Sequence, residues 1–146
     1  ILGLGGGSLV KVIHKFWHEA KVTGVDIDPL MVDMGKKHLG LKEDEVEIVI
    51  EDATLFCKKQ IKQKMHYDLI CIDMYNGDVF PQQFEELEFI EMVKKLLAPY
   101  GVAVFNRLYY GDKRKLSVKF SKKLSEVFRS NEAVYPEANV MFVCKS

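Results

Sequence analysis

The stretch Ile1-Leu2-Gly3-Leu4-Gly5-Gly6-Gly7-Ser8 decides the fold of this chain. Its apolar residues predict the end of a buried strand, and four glycines within five residues predict a tight turn with positive φ. Ser8 is a good N-cap for the amphipathic run that follows. A strand, a glycine turn and a helix N-terminus in succession are typical of a site for a nucleotide-like ligand, because backbone N–H groups there face the ligand.

The composition predicts an ordinary globular domain. With 146 residues, of which 48% are apolar and 29% charged, we expect residues 1–146 to form one domain with a sizeable core. Basic and acidic residues number 21 each, so no long-range field favours nucleic acid or an anionic membrane. No apolar run approaches the ~20 residues of a membrane span. The chain opens within a strand, without an initiating Met or a signal peptide, so we expect the N-terminal part of a longer protein to be absent.

Cysteine and histidine usage indicates a reducing compartment and no metal site. Cys57, Cys71 and Cys144 are widely spaced and form no C-x-x-C motif, which suits thiols that act as small core hydrophobes in the cytoplasm. The four histidines lack the spacing of metal ligands. We therefore predict a cytoplasmic protein without a metal, and leave assembly as a homodimer open.

Apolar periodicity alternates between helical and strand spacing along the chain. Predicted helices lie near 8–18, 29–40, 53–64, 87–97 and 116–128. Predicted strands lie near 21–27, 46–50, 67–73, 102–106, 133–136 and 139–145. The alternation predicts an α/β fold with a doubly wound, mostly parallel sheet. The last two strands predict an antiparallel hairpin.

Acidic residues end several of the predicted strands, where open parallel sheets bind their ligands. Asp26 lies 19 residues after Gly7, close to the ~20 typical of an acid that accepts hydrogen bonds from ribose. The alternative is a solvated strand end. Asp28 precedes Pro29 and is best explained as a helix N-cap. Asp52 is a second N-cap candidate, and a carboxylate can combine capping with ligand binding.

The glycine spacing Gly3-x-Gly5-x-Gly7 differs from the dinucleotide fingerprint, because Ser8 stands where that fingerprint has its third glycine. The spacing resembles the cofactor loop of class I S-adenosylmethionine (SAM) dependent methyltransferases. Four further stretches strengthen the likeness to the spermidine-synthase-like branch of that superfamily: Val25-Asp26-Ile27-Asp28-Pro29, Asp52-Ala53, Tyr67–Asp73 and Leu96–Gly101. The resemblance implies a Rossmann-like sheet of seven strands whose final strand is antiparallel.

The resemblance also implies a cofactor and a set of site residues. The cofactor would be SAM or decarboxylated SAM, with Asp26 on the ribose and Asp52 on the adenine amino group. The implied cofactor-binding residues are Gly3, Gly5, Gly6, Gly7, Asp26, Ile27, Asp52, Ala53 and Asp73. Asp73 is also the predicted catalytic residue. Tyr75, Asn76 and Asp78, in the loop that follows it, are the predicted acceptor residues.

Three functions stay open at this point. The first is a methyltransferase acting on a protein or a small molecule, and the second is a polyamine aminopropyltransferase that uses decarboxylated SAM. The third is a non-catalytic module that keeps the SAM fold. Aminopropyltransferases surround their cationic acceptor with carboxylates, and two of those positions are the neutral Ser8 and Asn76 here. Methyl transfer is therefore preferred, although Asp78 could supply the missing charge.

Overall fold

The computed structural model describes residues 1–146 and contains five α-helices, one short 3-10 helix and six β-strands. The chain divides into two compact units, Ile1–Phe56 and Cys57–Ser146, which are described separately. The prediction of a single domain stays a prediction. The elements of the first unit are α1 (Ser8–Phe16), β1 (Thr23–Asp26), α2 (Pro29–His38), β2 (Glu47–Ile50) and the start of α3 (Ala53–Lys62). The elements of the second unit after α3 are β3 (Tyr67–Ile72), the 3-10 helix Gln82–Glu85, α4 (Leu87–Lys95), β4 (Leu97–Leu108), α5 (Lys113–Val127), β5 (Ser130–Val134) and β6 (Asn139–Lys145).

The first unit contains a parallel pair of strands, β1 and β2, in which Gly24 lies opposite Ile48. Leu2 adds a single parallel bridge to Val25 on the other edge of β1. The apolar residues next to the glycine turn therefore make one bridge rather than a full strand, because the backbone turns away at Gly3 (φ 88°). The core beneath these strands is a cluster of buried aliphatic side chains: Leu4, Val10, Val32, Leu41 and Val46.

Helix α2 packs directly on the glycine turn. A Cβ added to Gly35 would lie 2.9 Å from both Cα and O of Gly6, so the two backbones touch at this point. A Cβ added to Gly7 would likewise clash with the side chain of Leu41. Close packing of this kind tolerates no added atoms. Gly35 thus fixes how near α2 lies to the turn.

The second unit contains a four-stranded sheet in the order β3-β4-β6-β5. Strand β3 is parallel to β4, whereas β6 lies antiparallel between β4 and β5. The predicted antiparallel ending is thus confirmed. Phe105, Phe120 and Phe142 meet in the core between β4, α5 and β6, with Phe120 5.5 Å from Phe105 and 6.2 Å from Phe142 between ring centroids.

Strand β4 begins earlier than the sequence predicts and contains the expected turn as an interruption. Tyr67 pairs with Leu97, and Leu69 pairs with Val102. The chain therefore advances two residues along β3 but five residues along β4 between these two pairs. The extra residues bulge outward around Tyr100, which is fully exposed and has φ 66°. Pro99 and Gly101 therefore bend the strand rather than precede it.

Two predictions about the sheet are wrong in detail. The α/β class is confirmed, but the chain forms six strands rather than seven, because Leu2 makes only one bridge. The two-stranded sheet is parallel, whereas the four-stranded sheet has one parallel and two antiparallel pairs and is therefore mixed rather than mostly parallel. Strand β5 also ends at Val134, short of the predicted 136, because Pro136 lacks the N–H that a strand ladder needs.

None of the helices combines the length and the apolar character that crossing a membrane would require. Cys57 and Cys144 are fully buried, as predicted for core cysteines, and the three cysteines form no disulfide. Burial raises the pKa of the Cys144 thiol to about 12. That thiol is therefore protonated and unreactive in the folded chain at neutral pH.

The contact between Gly35 and Gly6 predicts an unusual response to a helix-favouring substitution. Alanine favours a helix over glycine by about 1 kcal/mol, yet Gly35→Ala should lower the free energy of unfolding by about 1–3 kcal/mol, because its methyl group clashes with backbone. Met34→Ala, on the exposed side of the same helix, should change it by no more than about 0.5 kcal/mol. Urea denaturation of both variants measures the difference. A Gly35→Ala protein as stable as the wild type contradicts the contact.

Candidate functional site

The glycine turn of the first unit presents bare backbone to open space. Gly5 has φ 52°, a conformation that other residues adopt at a cost of roughly 1–2 kcal/mol. A Cβ added to Gly5 would have no protein atom within 4 Å. Packing therefore does not require glycine at this position, in contrast to Gly6 and Gly7, where an added Cβ meets leucine side chains. Gly5 leaves room for an external group to approach the backbone.

Asp26 holds this turn against the end of β1. Its Oδ2 accepts a hydrogen bond from the N–H of Gly5 at 2.7 Å, and its Oδ1 accepts one from the N–H of Asp28 at 3.0 Å. A carboxylate has about four lone-pair sites, so each oxygen keeps capacity for one further donor. The carboxylate thus organises the loop and can still accept hydrogen bonds from a pair of hydroxyl groups.

The other two acids that the sequence analysis singles out in the first unit cap helices. Asp28 accepts hydrogen bonds from the N–H groups of Leu30 (2.9 Å) and Met31 (3.4 Å) at the start of α2. Asp52 accepts them from Thr54 (2.8 Å) and Leu55 (3.1 Å) at the start of α3. The capping interpretation is confirmed for both. It leaves the predicted adenine-binding role of Asp52 as a prediction.

Two predicted cofactor residues of the first unit differ sharply in exposure. Ile27 is 70% exposed, whereas Ala53 is 6% exposed at the start of α3. An exposed isoleucine directly after Asp26 offers apolar surface beside the carboxylate. The structure therefore brings Gly5, Asp26 and Ile27 together at the end of β1, and their roles toward a ligand stay predictions.

In the second unit, Asp73 follows the end of β3 and belongs to a chain of polar side chains. Nδ2 of Asn106 donates to Oδ1 of Asp73 at 2.8 Å, and Oδ1 of Asn106 accepts from Nδ2 of Asn139 at 3.1 Å. The side-chain amide of Asn106 is fixed from both sides. It holds the Asp73 carboxylate in one orientation, which a reacting group needs.

Tyr75 anchors the loop after Asp73 to strand β4. Its hydroxyl accepts a hydrogen bond from the N–H of Leu108 at 2.8 Å and donates one to the carbonyl oxygen of Asn106 at 3.3 Å. Burial raises the pKa of the Tyr75 phenol, so the hydroxyl keeps the proton that it donates. Tyr75 therefore has a structural task besides its predicted contact with an acceptor.

Asn76 and Asp78 form the tip of that loop. Asn76 exchanges backbone hydrogen bonds with Val79 in a tight turn, at 2.9 and 3.1 Å. Oδ2 of Asp78 lies 3.0 Å from Nζ of Lys113 on α5, and this cation lowers the pKa of the exposed Asp78 carboxyl group. Asp78 is thus already paired with a cation of the same unit.

A cavity of about 50 Å³ beside this loop contains residues that the sequence analysis missed. Tyr75 and Asp78 line it, and so do Glu85 and Arg107, whereas Asn76 does not. Arg107 is only 3% exposed, and its Nη2 lies 2.5 Å from Oε1 of Glu85. One signal in the sequence could have identified the arginine, because strand alternation places Arg107 on the same face as the buried Ala103 and Phe105.

Comparison with known proteins settles the family. Residues 1–141 match the Spermine/spermidine synthase domain. The chain belongs to this family. The resemblance stated from the glycine turn and the strand ends is thereby confirmed.

Relatives within and near the family transfer different groups. The eEF1A lysine and N-terminal methyltransferase homolog of Drosophila melanogaster is 28% identical over 113 residues, which are 73% of this chain and 17% of the relative. The polyamine aminopropyltransferase of Vibrio vulnificus is 29% identical over 107 residues, 73% of this chain and 36% of the relative. The chain thus spans about a sixth and about a third of these relatives' lengths.

A solved structure supports the fold over the whole chain. Human methyltransferase-like protein 13, solved in complex with SAH, has a TM-score of 0.86 and 25% identity, and the match covers 99% of this chain and 69% of that one. The chain is thus similar to methyltransferases and to aminopropyltransferases, so these comparisons do not identify the transferred group.

The hydrogen bonds of Tyr75 lead to a stability prediction. In Tyr75→Phe, the Leu108 N–H loses its acceptor, so the free energy of unfolding should fall by about 1–3 kcal/mol. Tyr110→Phe, which removes an equivalent hydroxyl from a more exposed ring, should leave it almost unchanged. Urea denaturation gives the energies, and faster hydrogen exchange at the Leu108 amide locates the loss. Equal stability of the two variants would be inconsistent with this anchoring role.

Proposed function

We propose that this domain is an S-adenosylmethionine-dependent methyltransferase whose acceptor is a protein or a small molecule. The observation that carries the proposal is the Asp26 carboxylate, which binds the Gly5 N–H and keeps acceptor capacity on both oxygens. This arrangement suits a ribose, whose two neighbouring hydroxyl groups can each donate to one carboxylate oxygen. The family membership and the SAH complex of the human structural relative support the same ligand class.

The residues of the first unit fit an adenosine-bearing cofactor. The open space at Gly5 admits close approach of a ligand to the backbone, and the exposed Ile27 supplies an apolar contact for a flat ring. Asp26 would hold the ribose, and Asp52 with Ala53 would meet the adenine edge. Bound SAM supplies an electrophilic methyl group on a sulfonium together with a thioether leaving group.

The protein's part in such a transfer is to orient the reactants and to exclude water. Asp73 is the residue that we propose for contact with the reacting groups. Its carboxylate is oriented by Asn106, which is itself bound by Asn139. A fixed carboxylate can accept a proton from an attacking amine or position that amine for in-line attack.

Methyl transfer is favoured over aminopropyl transfer by the charges of the second unit. A polyamine acceptor is a cation and requires carboxylates that are free to pair with it. Asp78 could replace the carboxylate that Asn76 lacks, but Lys113 already holds it at 3.0 Å. The ammonium group of Lys113 would also repel a polyamine. Aminopropyl transfer remains the second candidate function, because this chain has the carboxylate of Asp73 that could bind an amine acceptor, and because the family includes such enzymes.

We also propose a cytoplasmic location and an acceptor other than nucleic acid. Three cysteines without a disulfide, two of them fully buried, suit a reducing compartment. The equal numbers of basic and acidic residues give no electrostatic attraction toward a polyanion.

Ligand titration tests the cofactor assignment. Calorimetry with SAH should show binding by the wild type and a loss of about 1–3 kcal/mol in Asp26→Asn, which retains one acceptor oxygen but no charge. Asp28→Asn is the matched control: it removes the same charge and keeps a good N-cap, so its affinity should stay close to that of the wild type. Circular dichroism verifies that both variants fold. Equal affinities in all three proteins would remove the ribose assignment.

A parallel assay tests which group is transferred. The full-length protein is given SAM with candidate acceptors, including eEF1A, which is named in the methyltransferase relatives. In parallel it is given decarboxylated SAM with putrescine or spermidine. We expect methylated product and no polyamine. Polyamine formation alone would overturn the preference, and SAH binding without either product would indicate the non-catalytic module.

A further inference from the structure

Helix α5 concentrates positive charge in a chain that is neutral overall. Six of the 21 basic residues and one of the 21 acidic residues lie within Lys113–Val127. The helix therefore carries a net charge of +5, and the rest of the chain carries −5. A solvated helix face usually mixes both signs of charge. Solubility therefore does not explain why these cations are gathered on one helix.

Three of the cations form a ridge along the solvent side of α5. The ridge lysines are Lys115, Lys119 and Lys122, which are exposed and share one helix face because they are spaced i, i+4 and i+7. The opposite face of the helix contains its buried residues: Ser117, Phe120 and Leu124. The ridge lysines span about 10 Å along the helix axis.

The ridge lysines differ from the other lysines of α5 in having no acidic partner. Nζ of Lys113 lies 3.0 Å from Oδ2 of Asp78, and Nζ of Lys123 lies 3.8 Å from Oε2 of Glu86. No carboxylate forms an ion pair with a ridge lysine, and Glu126, the one acid of α5, follows the C-terminal end of the ridge. The charge of the ridge is therefore available to an external anion.

This arrangement does not stabilise the helix. Lys119 has like charges four positions before it and three and four positions after it, and such pairs destabilise a helix. Lys115 lies in the first turn, where the helix macrodipole disfavours cations and where no acidic residue is present. Stability thus explains the ridge no better than solubility does. An anionic partner explains it, because bound anions would offset the repulsion between the lysines.

The surroundings of the ridge favour an acidic protein segment over a nucleic acid or an anionic membrane. Leu116 and Val118, which are 47% and 49% exposed, lie on either side of the ridge and offer aliphatic contacts rather than rings for base stacking. The −5 charge of the rest of the chain repels an extended polyanion. A short acidic segment is affected mainly by the ridge, because salt screens charges beyond about 8 Å. Carboxylates at i, i+4 and i+7 of such a segment would match all three lysines.

The ridge begins beside the predicted acceptor loop of the second unit. Nζ of Lys113, the first residue of α5, donates to the carbonyl oxygen of Asp78 at 2.7 Å. Lys115 lies in the same helical turn as Lys113, and the ridge extends from it toward the C-terminus of α5. A protein that presents an amine near this loop can therefore place a neighbouring acidic segment on the ridge.

We propose that the ridge lysines bind an acidic segment of a protein acceptor, close to the residue that receives the transferred group. The proposal rests on the proposed transferase function for the identity of the acceptor, and it selects a protein over a small molecule. The ridge contributes affinity and specificity for the acceptor and takes no part in the transfer itself.

Titration with a defined acidic peptide tests the ridge directly. The probe is an alanine-rich helical peptide with glutamate at i, i+4 and i+7, and its control has glutamine at the same positions. Fluorescence anisotropy with the full-length protein should show saturable binding of the glutamate peptide and roughly tenfold weaker binding of the glutamine peptide. Equal binding of the two peptides would overturn the proposal. Tighter binding of a uridine oligonucleotide or of phosphatidylserine vesicles at the same ionic strength would overturn it as well.

Substitutions then assign the binding to the ridge. The ridge variant combines Lys115→Gln, Lys119→Gln and Lys122→Gln. The matched control removes the same charge from exposed positions of the second unit outside α5, and it combines Lys62→Gln, Lys95→Gln and Lys145→Gln. The ridge variant should bind the glutamate peptide about tenfold more weakly than the wild type, and the control should stay within about twofold of it. Circular dichroism verifies that both variants fold. Equal losses in both variants would refute the ridge, because net charge alone would then account for the binding.

Kinetics with a protein acceptor separate this proposal from the proposed function. Where methyl transfer to a protein is found, the ridge variant should raise the KM for that protein about tenfold and leave kcat and the affinity for SAH unchanged. An unchanged KM would refute the ridge as an acceptor site and leave the transferase intact. Activity on small molecules alone would refute the protein acceptor. Binding of the glutamate peptide by a protein that does not bind SAH would support the ridge as a surface for acidic segments and refute the transferase function.

Discussion

The hydrogen bonds of the Asp26 carboxylate are the interaction on which the first unit depends. A glycine-rich turn has many conformations and loses much entropy when it becomes fixed. Asp26 fixes this one by accepting the Gly5 N–H at 2.7 Å, while its other oxygen accepts the Asp28 N–H at the entry to α2. One side chain therefore couples the turn, the end of β1 and the start of the following helix. Any ligand that binds this carboxylate is placed relative to all three.

Local patterns predicted most of the first unit because its determinants are local. The predicted N-cap at Ser8 is wrong, because Gly7 occupies the cap position of α1 and no side chain caps this helix. The N-caps at Asp28 and Asp52, the proline at the start of α2 and the run of glycines each act on residues a few positions away. The contact between Gly35 and Gly6 was not predictable in the same way. It depends on how closely a helix approaches a turn, and a single glycine in a helical pattern does not reveal its partner.

The site of the second unit was predicted only in part, for a physical reason. Asp73, Tyr75 and Asp78 lie in one loop, so a strand end followed by polar residues was enough to single them out. Arg107 and Glu85 come from distant parts of the chain and meet through packing against Phe80 and Phe120. Sequence alternation places Arg107 on a buried face, but only the three-dimensional structure shows which acceptor it binds and which of its nitrogens is left over.

The insertion of β6 between β4 and β5 has a consequence for folding. Strand β5 pairs with β6 and with no other strand, and it precedes β6 along the chain. During synthesis, β5 therefore leaves the ribosome before β6, which is its only neighbour. One edge of β4 also stays unpaired until β6 has been made. Pairing of β6 with β5 is local, but its pairing with β4 is a late, non-local event, so folding of the second unit should be slower than that of a sheet built only from successive hairpins. Until then β4 and β5 expose unpaired strand edges, which are sites where a chaperone or a second nascent chain can bind.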